Sequence, residues 1–547
     1  MITSWLRRIP NLVAGALAGI AAAIVMTLAM LASRYWLGVM PLVEAVPDRV
    51  ASLLSVQEFF RLFGQYGGYN GLKQFGILSG LRGVAATGLT VGVLYALVIE
   101  SAPSRRSPRW LLGSNRPSLL FMMGAILAVW IGFVIFLWPI LPANYIGVPF
   151  TWARILTIVA MLAWFTLFAV TLVGSYRFMT RRPAATPADD LPRAERPIAR
   201  ASNRRAIVVA AGAAALTWPI TGLLRRLFDD ATFPYDGQTF HRETITPITP
   251  TELFYTVTKN VVDPDVNADL WRLEIGGHVR DARTYSLDDL QGFEQIDQET
   301  TLMCISNRVG SGLFGNAAWR GVRLRDLLDA SGVEDGAFEV LVSSADGYSD
   351  SFAMDRALAE VTLVVYEMNG EPINRVHGGP ARVIVPGLYG EKNVKWVTRV
   401  SVETEDKKGL YESQGWGPNF TPILRSDIFA PLTGGNDARG GWRFNQQFRA
   451  TQPIEIKGRA FDPNLGIATV ELSTDGGSTW NPTEIYYPGT DITWSLWTYT
   501  WTPPAPGEYV LIPRATSKTG ERQPAEATSI VPDGAQGYQK VTATIVT

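Results

Sequence analysis

The chain has 547 residues, of which 47% are hydrophobic and 18% charged, and a formal net charge of −1. That balance gives no sign of the net basic charge expected of a nucleic-acid binder, and a single cysteine excludes an internal disulfide framework. The length fits about two to four domains, and the low charge content is local, because residues 1–225 are far more apolar than the rest.

Residues 12–32 form an uncharged apolar run long enough to cross a bilayer. Further runs at 83–99, 118–140, 155–176 and 206–224 predict five spans in an α-helical membrane domain over 1–182 and a linker with the fifth span over 183–225. The second and fifth runs are short or Gly/Ala-rich, and the fifth also reads as a buried core helix or a surface anchor. Arg7 and Arg8 precede the first run. Arg105, Arg106, Arg109 and Arg116 lie between the second and third. Arg177, Arg181, Arg182, Arg193, Arg196, Arg200, Arg204 and Arg205 lie between the fourth and fifth. Basic residues stay on the cytoplasmic side, so the pattern puts the N-terminus in the cytoplasm of a cell membrane protein and everything after about residue 225 outside it. SNRRAIVVAAGAAAL (202–216) resembles a twin-arginine export signal and reads equally as a basic flank. His241, His278 and His377 all fall outside the runs, which predicts no membrane haem, since such haems take histidine ligands.

Residues 226–250 read as a connector. WRLEIGGHV (271–279) alternates like a strand, and Ser286 is placed to cap a short helix. TLMCI reads as a strand ending at Cys304, followed by a polar loop with Asn307, Arg308, Gly310, Gly312 and Gly315, then the helical run VRLRDLLDA. AFEVLVSSADGYSDSF (337–352) reads as strand, turn and loop, and ARVIVPGLYG (381–390) as a strand stopped by Pro386. Mixed strands and short helices predict an α+β domain over 226–415. Cys304 is either buried packing or a reactive group. A thiol beside cations and free backbone N–H groups is expected to shift toward thiolate, a soft ligand for transition metals. Arg382, Lys392 and Lys395 fit either solvated edge charges or a phosphate cradle.

In 416–547 the runs 454–462, 467–480, 492–502 and 507–520 alternate as strands, with Trp497, Tyr499 and Trp501 on one face. They predict an immunoglobulin-like β-sandwich.

Two blocks carry a resemblance: CISN followed by GNAAWRGVRLRDLL, and YEMNGEPINRVHGGPARVIVPGLYGEKNVKWV (366–397). Together they resemble the sulfite oxidase family of molybdopterin-dependent oxidoreductases, and the likeness covers about 250–547. It implies one Mo-molybdopterin per chain, with Cys304 as the protein's ligand to molybdenum. It also implies pterin contacts at Tyr255, Thr256, Asn260, Ser344, His377, Arg382, Asn393, Val394 and Lys395, an active-site tyrosine at Tyr348 and a pocket tryptophan at Trp319. Arginines that the family sets around an anionic substrate are replaced by Val309 and by Lys259 of the Lys259-Asn260 pair, while Arg308 remains. The expected activity is two-electron oxygen-atom transfer on a small sulfur-containing or oxyanion substrate. Reduction of methionine sulfoxide, or a metal-free membrane receptor or scaffold with the same fold, is the alternative. No CxxCH motif occurs, so a separate electron carrier, cytochrome or quinone-linked, is expected, along with membrane lipid and a homodimer through the C-terminal domain.

Overall fold

The computed structural model describes residues 9–66, 69–101, 119–180, 198–229, 245–431, 433–434 and 442–547. Arg7, Arg8, the arginines at 105–116 and 181–196, most of the predicted linker and His241 lie outside the described residues. The chain packs as two units. One comprises Met1–Ala51, Leu62–Ala231 and Asn260–Val262; the other comprises Ser52–Arg61, Thr232–Lys259 and Asp263–Thr547.

The first unit is helical, with α1 (Ile9–Leu37), α2 (Leu42–Ala51), α3 (Val56–Gln65), α4 (Tyr69–Ser101), α5 (Leu119–Phe136), α6 (Phe150–Thr180) and α7 (Ile198–Asp229). The first part of α3 belongs to the second unit. Among the described residues, four helices are long and apolar enough to cross a membrane: Pro10–Leu37, Gly71–Val98, Phe150–Thr180 and Arg204–Asp229. The third predicted run appears as α5, only 18 residues, or roughly 27 Å at helical rise. The run at 83–99 proves to be the second half of the 33-residue α4, whose glycines and Lys73 hide its apolar character in the sequence. Those glycines have a use: a Cβ on Gly19 of α1 would stand 2.0 Å from the Gly88 carbonyl oxygen of α4, so only small residues let these backbones approach. Arg34 and Glu44 form a buried ion pair at 2.9 Å, and the Tyr145 hydroxyl donates to Glu44 at 3.0 Å.

In the second unit, Trp271, Leu273 and Ile275 alternate inward on β1 (Leu273–Gly277) and its approach. β1 pairs with β2 (Arg283–Tyr285) and, in parallel, with β10 (Val397–Glu403). The sheet continues antiparallel through β5 (Glu339–Ser344) to β6 (Ser349–Ala353). Ser286 caps the helix Leu287–Gln291 in a full capping box with Asp289. A second sheet runs β3 (Ile296–Met303), β4 (Phe314–Arg323), β7 (Leu363–Met368), β8 (Glu371–Pro372), with β9 (Arg382–Ile384) also on β7. Two expectations shift here. Gly315 lies inside β4, not in the loop, because a Cβ there would meet the Phe254 ring at 2.9 Å. The loop expected after Tyr348 is the strand β6.

Beyond residue 416 the chain is β-rich. A four-stranded and a seven-stranded sheet enclose one core that includes Ile456, Leu472, Trp497, Trp501 and Leu511. Another core crosses the expected boundary at 415, joining Met303, Ile305, Phe314 and Tyr389 to Trp416, Phe420, Phe461 and Trp494, with Val56 of α3 also buried in it.

Candidate cofactor and substrate site

The β3–β4 register ends at Met303↔Phe314, so Cys304 is the first residue past the ladder. Its N–H donates to the Leu313 carbonyl at 3.0 Å and its carbonyl accepts from Asn307 N–H at 2.9 Å, which folds residues 305–313 back over the strand end. Cys304 Sγ lies 3.1 Å from Ser306 Oγ. Burial, then the Glu391 carboxylate, pushes the thiol up to about 11. The expected shift toward thiolate therefore runs the other way. Arg308, the cation nearest in sequence, is exposed on the loop, and the charge that acts on the thiol is the Glu391 carboxylate's.

Around the thiol, several predicted residues converge. A Cβ on Gly390 would stand 2.5 Å from Tyr255 Oη and 3.7 Å from Cys304 Cα. Tyr255 stacks on Phe254 at 5.3 Å, and Phe254 meets Trp319 edge-on at 6.0 Å and His377 at 5.7 Å. The Arg382 guanidinium carbon lies 5.2 Å from the Trp319 ring centre. Arg382 donates to the His377 carbonyl and the Asn393 carbonyl, each at 2.9 Å. It makes no ion pair among the described residues, and burial lowers it to about 10. His377 is buried, its Nε2 2.7 Å from the Thr251 carbonyl, and burial lowers it to about 4. Lys395 donates to the Val376 carbonyl at 3.1 Å, and burial lowers it to about 8. Asn393 holds the turn, accepting from Val385 N–H at 2.7 Å and donating to Tyr389 O at 2.9 Å.

Three buried donors here have no acceptor: Arg382 Nε, Trp319 Nε1 and Asn307 Nδ2. Unsatisfied buried donors of this kind are rare in folded chains. A buried guanidinium without a carboxylate, beside unfilled N–H donors and a thiol, is the donor set that a phosphate-bearing heterocycle with a sulfur-bound metal needs.

The remaining predicted residues have their own partners. Lys392 Nζ forms a buried ion pair with Asp350 Oδ1 at 2.7 Å and also donates to Ser351 O, so it does not converge with Arg382 and Lys395. Tyr348 donates to Asp350 Oδ2 at 2.6 Å, with the Glu391 carbonyl at 3.0 Å. Ser344 and Val394 are buried, Val394 in the domain core, and Thr256 is half-buried. Asn260 belongs to the first unit. Sequence reasoning missed Glu391, Asp350 and Tyr411, whose ring lies 5.9 Å from that of Tyr348. Glu391 lies inside the second quoted block and Asp350 inside the stretch 337–352, where only the cations and the tyrosine drew notice.

Residues 260–411 match the model of the oxidoreductase molybdopterin-binding domain family. The chain is 32% identical over 298 residues to mitochondrial sulfite oxidase of Rattus norvegicus, covering 46% of this chain and 52% of that protein. It is 28% identical over 318 residues to sulfite oxidase of Gallus gallus, covering 51% and 68%. It is 27% identical to the NAD(P)H nitrate reductase of Hordeum vulgare, covering 44% and 32%. The chain spans about half the length of the first of these relatives. Among solved structures, the sulfane dehydrogenase SoxCD from Paracoccus pantotrophus aligns with a TM-score of 0.48 at 21% identity, covering 56% of this chain and 85% of that one.

Proposed function

From the membership of this chain in the sulfite oxidase family of molybdopterin-dependent oxidoreductases, we propose that it is a membrane-anchored enzyme whose Cys304 thiolate ligates molybdenum. The observation that carries this reading is the buried Arg382, without an ion pair among the described residues and 5.2 Å from the Trp319 ring centre, together with the open donors Trp319 Nε1 and, on the loop that follows Cys304, Asn307 Nδ2. When bound, the Mo-molybdopterin supplies two-electron oxygen-atom transfer. The residues hold and shield it. Arg382 and Lys395 would neutralise its phosphate, with Tyr255, Thr256, Ser344, His377, Asn393 and Val394 as further contacts. Trp319 and Tyr255 exclude water. Cys304 would release its proton to solvent on binding the metal, since thiol ligands bind deprotonated. Tyr348 is held by Asp350 at the pocket wall, and Arg308 is free to meet an incoming anion. The substrate class is a small sulfur-containing or oxyanion compound, and a separate carrier takes or delivers the electrons. Stoichiometric molybdenum and pterin in purified protein tests the reading; protein from a molybdenum-replete host that contains neither would favour the scaffold alternative.

The domains are proposed as 1–182, 183–225, 226–415 and an immunoglobulin-like, dimer-forming 416–547. The orientation has support from packing inside the second unit. Residues Ser52–Arg61 follow the first apolar helix, yet belong to the catalytic unit: Val56 N–H donates to Gln414 O at 2.8 Å, and the Phe60 and Trp416 rings lie 5.9 Å apart. A segment after the first span and a domain after the last share one side of a membrane only if the number of spans is odd. The four long helices then require α5 to cross as a fifth. An α5 of roughly 27 Å nearly matches the ~30 Å hydrocarbon core.

A further inference from the structure

Residues 305–313 lie outside the β3–β4 ladder. Bonds among Cys304, Asn307 and Leu313 close the base of this loop, and its tip is gripped from a distant part of the chain. Three consecutive residues are held by side chains of the β-rich region beyond residue 416. The Val309 carbonyl accepts from Trp442 Nε1 at 3.0 Å. The Gly310 N–H donates to Asp427 Oδ1 at 2.9 Å. The Ser311 carbonyl accepts from Arg459 Nη2 at 2.6 Å. On the other flank of the cysteine, Arg425 Nη1 lies 3.1 Å from Met303 Sδ, and its Nη2 donates to the Ala535 carbonyl at 2.5 Å.

Asp427 and Arg459 are each 1% exposed, and Arg459 Nη2 lies 3.6 Å from Asp427 Oδ2. Charges at that depth need both a counter-charge and hydrogen bonds. The loop backbone supplies some of those bonds, so the pair and the loop stabilise each other. Gly310 has φ +78°, and a Cβ there would stand 2.5 Å from Gln539 Nε2 and 2.7 Å from Trp442 Nε1. The turn therefore closes directly against this wall. Gln539 is itself tied to both backbone groups of Ile428, next to Asp427.

A metal ligand works only when its direction is fixed, and losing the groups that orient one typically costs about 10- to 100-fold in metal affinity or activity. We propose that Asp427, acting with Trp442 and Arg459, is a positioning residue that fixes the direction of Cys304, which makes the region beyond residue 416 a working part of the metal centre. The proposal rests on the reading of Cys304 as the molybdenum ligand.

Because Cys304 is the chain's one cysteine, its alkylation by iodoacetamide reports local opening of this loop. The rate is read by mass spectrometry on the full chain in detergent, from a host unable to make the pterin. The proteins are wild type, Asp427→Ala, Asp427→Asn, Trp442→Phe and, as a control for lost stability, Ile456→Val in the core of the same region. Alkylation should be at least about tenfold faster in Asp427→Ala and about fivefold faster in Trp442→Phe, for one charged and one neutral hydrogen bond lost. Asp427→Asn keeps an oxygen for the Gly310 N–H, so it and Ile456→Val should stay within about twofold of wild type. In reduced, molybdenum-loaded protein, the electron paramagnetic resonance signal should be displaced in Asp427→Ala and Trp442→Phe and unmoved in Ile456→Val. Should Asp427→Ala fail to fold, Trp442→Phe decides alone. Unchanged alkylation in the clamp variants, an equal gain in Ile456→Val, or faster alkylation with an unmoved signal overturns the proposal. Molybdenum missing from loaded wild type sinks the ligation reading and this proposal with it, whereas molybdenum present with every variant like wild type sinks only the role of Asp427.

Discussion

Lys392 Nζ lies 2.7 Å from Asp350 Oδ1, and both side chains are almost wholly buried, at 4% and 1% exposure. The lysine is thus matched to a carboxylate inside the protein, while Arg382 ten residues earlier in the chain has none. This asymmetry separates a cation that holds the fold from one held ready for a ligand.

Removing one member of such a pair strands a buried charge and costs about 3–5 kcal/mol. Lys392→Met is therefore expected to lower the thermal midpoint strongly, and adding Asp350→Asn should restore part of the loss. Molybdenum content in the folded fraction of Lys392→Met should stay near wild type. A cofactor loss matching that of an Arg382 variant would return Lys392 to the phosphate cradle.

Arg382→Gln should act in the opposite manner. Charge-assisted hydrogen bonds contribute about 1.5–3 kcal/mol each, so losing one to the phosphate weakens cofactor retention by roughly 10- to 100-fold. Pterin released on dialysis, compared with wild type, gives the measurement. Equal retention would mean the guanidinium faces no phosphate.

His377 gives a pH prediction. Burial lowers it from 6.5 to about 4, so between those values the unfolded chain binds the extra proton. Stability is then fully present above pH 6.5 and declines as pH falls toward 4, by up to about 3 kcal/mol. Thermal midpoints from pH 4.5 to 7 should show this slope, and His377→Gln should flatten it. An unaltered slope in the variant would assign it to other groups.

Topology is testable without the cofactor. Alkaline phosphatase fused after residue 66 or after residue 245 should be active, and fused after residue 110 inactive. An inactive fusion at 245 beside an active one at 66 would contradict the crossing of α5.

Much of the catalytic fold was legible in the sequence because local signals and burial agree there. The apolar run before Cys304 ends where the β3 ladder ends, and Ser286 caps its helix as its side chain and Asp289 suggest. Gly315 misled because a glycine in a strand looks like loop until the Phe254 ring packed on it is seen. The direction of the thiol shift was hidden for a similar reason. Arg308 is near in sequence but exposed, while Glu391, 87 residues after Cys304, acts on the thiol through the fold. Charge pairing is likewise a property of tertiary contact, so nothing in the segment GEKNVK distinguishes Lys392, spent on Asp350, from Lys395.

The most direct test of the central claim is molybdenum X-ray absorption on wild type and Cys304→Ser. The account predicts about one molybdenum per chain in wild type, and loss of one sulfur neighbour from the metal, or of the metal itself, in the variant. Equal molybdenum content with an unchanged sulfur shell in Cys304→Ser would contradict it.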